Sequence, residues 1–202
     1  DNTDESLDSL LSQITTLLPQ DKGNWSVYVC NLAKGSEGSI NNAKMQAASL
    51  IKLFIMGAVY EKLVYPDPAS EASVDYQKTL KPLLQKMIAS NDSNAANELV
   101  ALLGSGDFKS GAAAVNQFCQ DHGFTSTRLE APLTADSSEK TNTTSASDCC
   151  RLLSEIYNQT LVNSSASSEM LSLLKQQAEK DKILSGLPAE TETAGTEGTQ
   201  SD

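Results

Sequence analysis

Ser49 and Lys52 are the residues of this chain whose types and spacing could do covalent chemistry. They open the run Ala47-Ala48-Ser49-Leu50-Ile51-Lys52-Leu53-Phe54-Ile55-Met56-Gly57-Ala58-Val59-Tyr60, in which Lys52 is the sole charge. A helix over this run is apolar on every side, and therefore buried. Residues three apart share a helix face, so the Ser49 hydroxyl lies within reach of the Lys52 amine. Desolvation disfavours an ammonium, so a buried lysine can be neutral and take a proton from a serine. The helix N-terminus favours negative charge developing beside Ser49. Together these describe an activated nucleophile. The competing reading has Lys52 running along the helix to solvent and Ser49 serving only as its cap. Ser-x-x-Lys recurs as Ser137/Lys140 in a polar stretch and as Ser172/Lys175 on an amphipathic one. The buried setting, more than the tetrapeptide, singles out Ser49.

The elements that must position this pair follow from the pattern around it. Leu7, Leu10, Leu11, Ile14, Leu17 and Leu18 recur at spacings of three and four, predicting an amphipathic helix over 6–18 that lies on a sheet. Residues 25–32 alternate and are rich in strand formers, 33–38 supply a glycine-containing turn, and 39–45 return as a second strand. This hairpin delivers the chain to Ser49. Tyr65-Pro66-Asp67-Pro68 stops the buried helix, and Leu80, Leu83, Leu84, Met87 and Ile88 mark the next one. Ser90-Asn91-Asp92-Ser93-Asn94 is a dense run of cap and turn formers, hence a tight interhelical loop. Helices are expected over 95–103 and 112–119, stopped by Gly104 and Gly123. Residues 125–144 lack usable periodicity and read as a long surface loop. Further helices start at Ser145 and Ser167. Ile183-Leu184-Ser185-Gly186-Leu187-Pro188 is the last apolar cluster, and 189–202 have the composition of a frayed tail.

Composition excludes several function classes. A formal net charge of -11 and a pI near 4.5 argue against nucleic acid or anionic membrane as partner. The apolar run is well short of the roughly 20 residues that a membrane span needs. Cys30, Cys119, Cys149 and Cys150 show no C-x-x-C spacing for zinc, and vicinal Cys149 and Cys150 cannot easily bond each other. They read as small buried hydrophobes, and no metal or cofactor is expected. His122, the single histidine, sits beside Gly123 at a helix end, where a cation is favoured, rather than in a Ser/His/Asp triad. A chain opening on Asp1 and a polar run is expected of a mature, extracellular or cell-envelope product.

The order helix, hairpin, then Ser49-Leu50-Ile51-Lys52 resembles the penicillin-recognising serine hydrolases, in particular class A β-lactamases and penicillin-binding-type domains. Met87-Ile88-Ala89-Ser90-Asn91-Asp92-Ser93-Asn94-Ala95-Ala96-Asn97-Glu98-Leu99 resembles that family's second-motif region. Thr127-Arg128-Leu129 resembles the entry to its active-site-flanking loop, and Leu184-Ser185-Gly186-Leu187-Pro188-Ala189 the approach to its third motif. The resemblance implies that Ser49 is the acylated nucleophile, Lys52 its proton acceptor and the Ser49 N–H half of an oxyanion hole. The family's Ser-Asp-Asn falls on Asn91-Asp92-Ser93, replacing a proton-relaying serine by Asn91, which cannot relay as a hydroxyl does. Its Lys-Thr-Gly falls on Thr196-Glu197-Gly198, with Glu197 placing negative charge where a substrate carboxylate is received. Lys140-Thr141-Asn142 lacks the glycine and lies in the wrong segment. Glu130 precedes the place of the family's water-activating glutamate and reads as an ordinary loop charge.

The fold implied is α/β and helix-rich, one β-lactamase-like domain over 1–202. The N-terminal helix and hairpin (1–48) and a mainly helical lobe (49–188) are followed by a polar tail or third-motif remnant (189–202). In the resembled family three C-terminal strands and a terminal helix complete the sheet, so here the sheet is expected to be incomplete. Self-association through the open edge, or pairing with a missing C-terminal segment, follows from that expectation. The implied activity is hydrolysis of β-lactams or D-Ala-D-Ala-type peptides through acyl-Ser49, impaired by the degenerate motifs. The alternative is a non-catalytic binding or scaffold protein that retains the fold.

Overall fold

The computed structural model describes residues 4–19, 21–70, 74–133, 142–178 and 182–199. Helix α1 (Glu5–Leu17) lies on a hairpin of β1 (Val27–Asn31) and β2 (Ser36–Ile40), paired from Val27↔Ile40 to Asn31↔Ser36. The Asp4 carboxylate joins the two. It accepts hydrogen bonds from Ser6 Oγ at 2.6 Å, Lys34 Nζ at 2.9 Å and Ser36 Oγ at 2.7 Å. The Ser6 bond, then those from Lys34 and Ser36, hold the Asp4 carboxyl far below the usual carboxylate range.

The return strand differs from its predicted span of 39–45. The β2 strand ends at Ile40, and Asn41 adopts a left-handed φ of 48°, a conformation asparagine tolerates better than most residues. The chain there leaves the hairpin. Its next segment, β3 (Lys44–Gln46), pairs instead with β4 (Thr143–Ser145), in the register Lys44↔Ser145, Met45↔Thr144 and Gln46↔Thr143. The second, small sheet sits immediately before Ser49.

Helix α2 (Ile51–Val59) is buried along all nine residues, as its composition requires. Around it pack α3 (Lys81–Ala89), α4 (Ser93–Leu103), α5 (Phe108–Asp121) and α6 (Ala146–Tyr157). Helix α7 (Ser164–Lys175) begins three residues before Ser167, because the Asn163 side chain caps it by accepting from Ala166 N at 2.8 Å. Ser167 lies inside the helix, fully buried, its hydroxyl donating to Leu161 O at 2.8 Å. His122 ends α5 as predicted and meets Glu61 at 2.6 Å.

The stretch from 125 to 144 is less of a surface loop than its composition indicates, since Thr127, Leu129, Leu133 and Thr144 are buried. Between Leu129 and Leu133, asparagine side chains hold its backbone. Asn116 donates to Leu129 O at 2.9 Å and accepts from Leu129 N at 2.8 Å, and Asn97 clasps Leu133 the same way at 2.8 Å and 2.8 Å. Asn142 accepts from Glu130 N at 2.8 Å and Ala131 N at 3.0 Å. Such pairing leaves no periodic trace in the sequence. Residues 134–141, with Ser137, Lys140 and Thr141, lie outside the described residues.

The tail is not frayed over its described part. Glu197 is buried, and Gly195 N donates to Leu174 O at 3.1 Å, laying the extended segment against α7. By contrast the last apolar cluster faces solvent, with Ile183 85% exposed. Among the described residues no helix is long and apolar enough to cross a membrane.

Two of these contacts make predictions. A Cβ built on Gly111 would lie 1.7 Å from Val100 O, so α4 and α5 touch through backbone. Gly111→Ala should force the helices apart and cost at least about 1–3 kcal/mol in chemical denaturation. The Asp4 carboxyl is depressed in the fold, so its contribution is complete above the ordinary value of 3.8 and is lost as pH falls toward the folded value. Between about pH 5 and pH 2, Asp4→Asn should therefore lose less stability than the parent, measured by urea midpoints.

Candidate active site

Ser49 lies in a single 3₁₀ turn, Ala48–Leu50, that leads into α2. The residue preceding α2 is Leu50, and no side chain caps the helix there, so the Ser49 hydroxyl does not serve as an N-cap. Lys52 does not reach solvent: it is 0% exposed. Its Nζ donates to Ser49 Oγ at 3.3 Å, Asn91 O at 2.6 Å and Asn91 Oδ1 at 2.7 Å. A buried cation needs such acceptors, because stranding it in the core without them would be severely unfavourable.

Asn91 supplies two of them because of its backbone. Its φ of 53° is left-handed, turning both its carbonyl and its amide oxygen toward Lys52. At this position asparagine orients a lysine where the resembled family has a hydroxyl. The neighbouring second-motif positions do other work. Asp92 caps α4, accepting from Ala95 N at 2.9 Å, and half-buried Ser93 begins that helix.

The third-motif positions also come to Ser49. A Cβ built on Gly198 would lie 3.1 Å from Ser49 N and 3.2 Å from Leu50 N, so the tail crosses the first turn of the buried helix at close range. Only a residue without a side chain fits there without displacement. The Glu197 carboxylate faces Lys182, accepting from Lys182 N at 3.3 Å, with Nζ 3.8 Å away. Lys182 Nζ also donates to Gly198 O at 3.2 Å and Thr199 Oγ1 at 2.6 Å. Lys182, Thr196, Glu197 and Gly198, with Leu50 and Leu53, line a cavity of about 340 Å³. Lys182 was not apparent from the sequence, because a separation of 15 residues from Glu197 carries no periodic signal. Glu130 is exposed and paired with Arg128 Nε.

Comparisons with known proteins identify the family and the fold. The model of the Beta-lactamase enzyme family matches residues 9–65 and 68–202, and the chain belongs to that family. Among solved structures, one described as PBP-A has 25% identity and a TM-score of 0.74, covering 91% of this chain and 74% of its own. A PBP-A mutant determined as an acyl-enzyme complex with penicillin-G has 22% identity and a TM-score of 0.78, covering 96% and 78%. A variant of the last common ancestor of Gram-negative bacteria class A β-lactamase has 21% identity and a TM-score of 0.76, covering 95% and 79%. No curated protein matches the chain. The helix-rich fold with small antiparallel sheets is thus the β-lactamase fold.

The left-handed Asn91 backbone separates two effects. Asn91→Gly and Asn91→Ala both remove the Oδ1 acceptor of Lys52, but alanine also pays the left-handed strain of about 1–2 kcal/mol. Urea denaturation should find both variants less stable than the parent, and Asn91→Ala less stable than Asn91→Gly by about that strain.

Proposed function

We propose that this chain is a serine hydrolase that reacts with β-lactams or D-Ala-D-Ala-type peptides through an acyl-Ser49 intermediate and releases the acyl group slowly. The observation that carries the reading is the 3.3 Å contact between Ser49 Oγ and the wholly buried Lys52 Nζ. For the attack Lys52 gives up one proton of its charged form: the neutral amine keeps its two donations to the Asn91 oxygens and turns its lone pair to the Ser49 hydroxyl, whose proton it accepts. The Ser49 oxygen then attacks the carbonyl carbon of the ligand, and the Ser49 N–H, at the start of a helix, receives the developing oxyanion. When the C–N bond opens, Lys52 returns the proton to the departing nitrogen. The acyl-enzyme formed by the PBP-A mutant with penicillin-G supports this choice of ligand. An extracellular or cell-envelope setting is part of the same proposal, since such ligands belong there.

Slow release is supported by the remaining positions. Both Asn91 oxygens are engaged with Lys52, and Glu130 is exposed in an ion pair with Arg128, so neither is placed to activate water at Ser49. General-base catalysis contributes about 10²- to 10⁴-fold, and its loss leaves a persistent adduct.

Incubation with penicillin G should add the intact mass of the antibiotic to the parent protein and none to Ser49→Ala. An adduct on the variant, or none on the parent, overturns the assignment of Ser49. Chromogenic-cephalosporin turnover should stay below about 1 per second. Sustained turnover above that rate would show that a base does reach the acyl group.

A further inference from the structure

Cys30 and Cys150 are 120 residues apart in sequence, yet their sulfurs stand 2.6 Å apart, a fraction of an ångström beyond the about 2.05 Å of an S–S bond. Cys30 lies on β1, opposite Glu37 of β2, and Cys150 in the first turns of α6. The two elements pack directly on each other. Both cysteines are half-buried and line one wall of an open cavity of about 320 Å³, together with Leu32, Leu153, Ile156 and Tyr157. The other two are differently placed. Cys119 is buried in the helical core, and Cys149 turns to the Thr144 hydroxyl, its sulfur 3.6 Å away.

We infer that Cys30 and Cys150 form a disulfide that fastens the N-terminal hairpin to the helical lobe, made by exchange with a small external disulfide admitted through the cavity. One protein thiolate attacks a sulfur of the external disulfide, releasing the first small thiol and leaving a mixed disulfide. The second protein thiolate then attacks the protein-bound sulfur and displaces the second small thiol. The two thiol protons leave with the two small thiols, and the external disulfide is the species reduced.

The consequence lies in how the hairpin is held. Among the described residues β1 and β2 pair only with each other, and a two-stranded ribbon is marginal by itself. The contacts from α1 and α6 seat it, and a covalent link to α6 removes the unfolded arrangements in which they separate. Burial, followed by the bond to Cys30, pushes the Cys150 thiol up to about 12. Closure should therefore be slow at neutral pH and faster in mildly alkaline solution.

The folded chain is incubated with oxidised glutathione, with and without later reduction. The expected product is lighter than the reduced chain by two hydrogens, with two of its four thiols still titratable and one cross-linked peptide pair containing Cys30 and Cys150. Its Tm should exceed that of the reduced chain by roughly 4–16 °C, as a long-range disulfide in a domain of this size gives. Cys149→Ser should keep the cross-link and the redox-dependent Tm, whereas Cys30→Ser should lose both. Four titratable thiols after oxidation, a bridge through Cys149 or Cys119, open mixed disulfides at Cys30 and Cys150, or equal Tm values in the two redox states would overturn the inference.

Discussion

The structure depends on a charged side chain placed where charge is least tolerated. Lys52 lies on a helix buried over its whole length, so its amine has to be met by acceptors within the core. Those acceptors come from Ser49, three residues earlier, and from Asn91, on the loop between α3 and α4. The demand fixes the position of that loop against α2, and with it the entry of α4, capped by Asp92. The interaction on which the proposed chemistry rests therefore also organises the packing of the helical lobe.

Where the chain departs from the family pattern, the departures are accommodated by neighbours. Asparagine in place of a hydroxyl residue at 91 gives Lys52 an amide oxygen beside the backbone carbonyl of the same residue, but no hydroxyl through which a proton could be relayed. Glutamate at 197 would repel an anionic ligand if it stood alone, but Lys182 approaches it through both its backbone N–H and its ammonium. Gly198 lies where the tail passes close to the Ser49 backbone.

Much of this was legible in the sequence because it depends on residues close together. The apolar run around Lys52 dictated a buried helix, and the i, i+3 spacing brought Ser49 to the lysine. Cap residues and glycine stops marked most of the helices, though Asn163 capped α7 earlier than Ser167 suggested. Tertiary structure decided the rest, for reasons of distance. The turn at Asn41 sent β3 to pair with a segment about 100 residues later, and asparagine side chains ordered a stretch without periodicity. Lys182 reached Glu197 across a chain reversal, and Cys30 met Cys150 across the packing of a strand on a helix. Sequence determined which side chains could react; only the packing decided which oxygens and sulfurs they face, because those partners are neighbours in space and not in the chain.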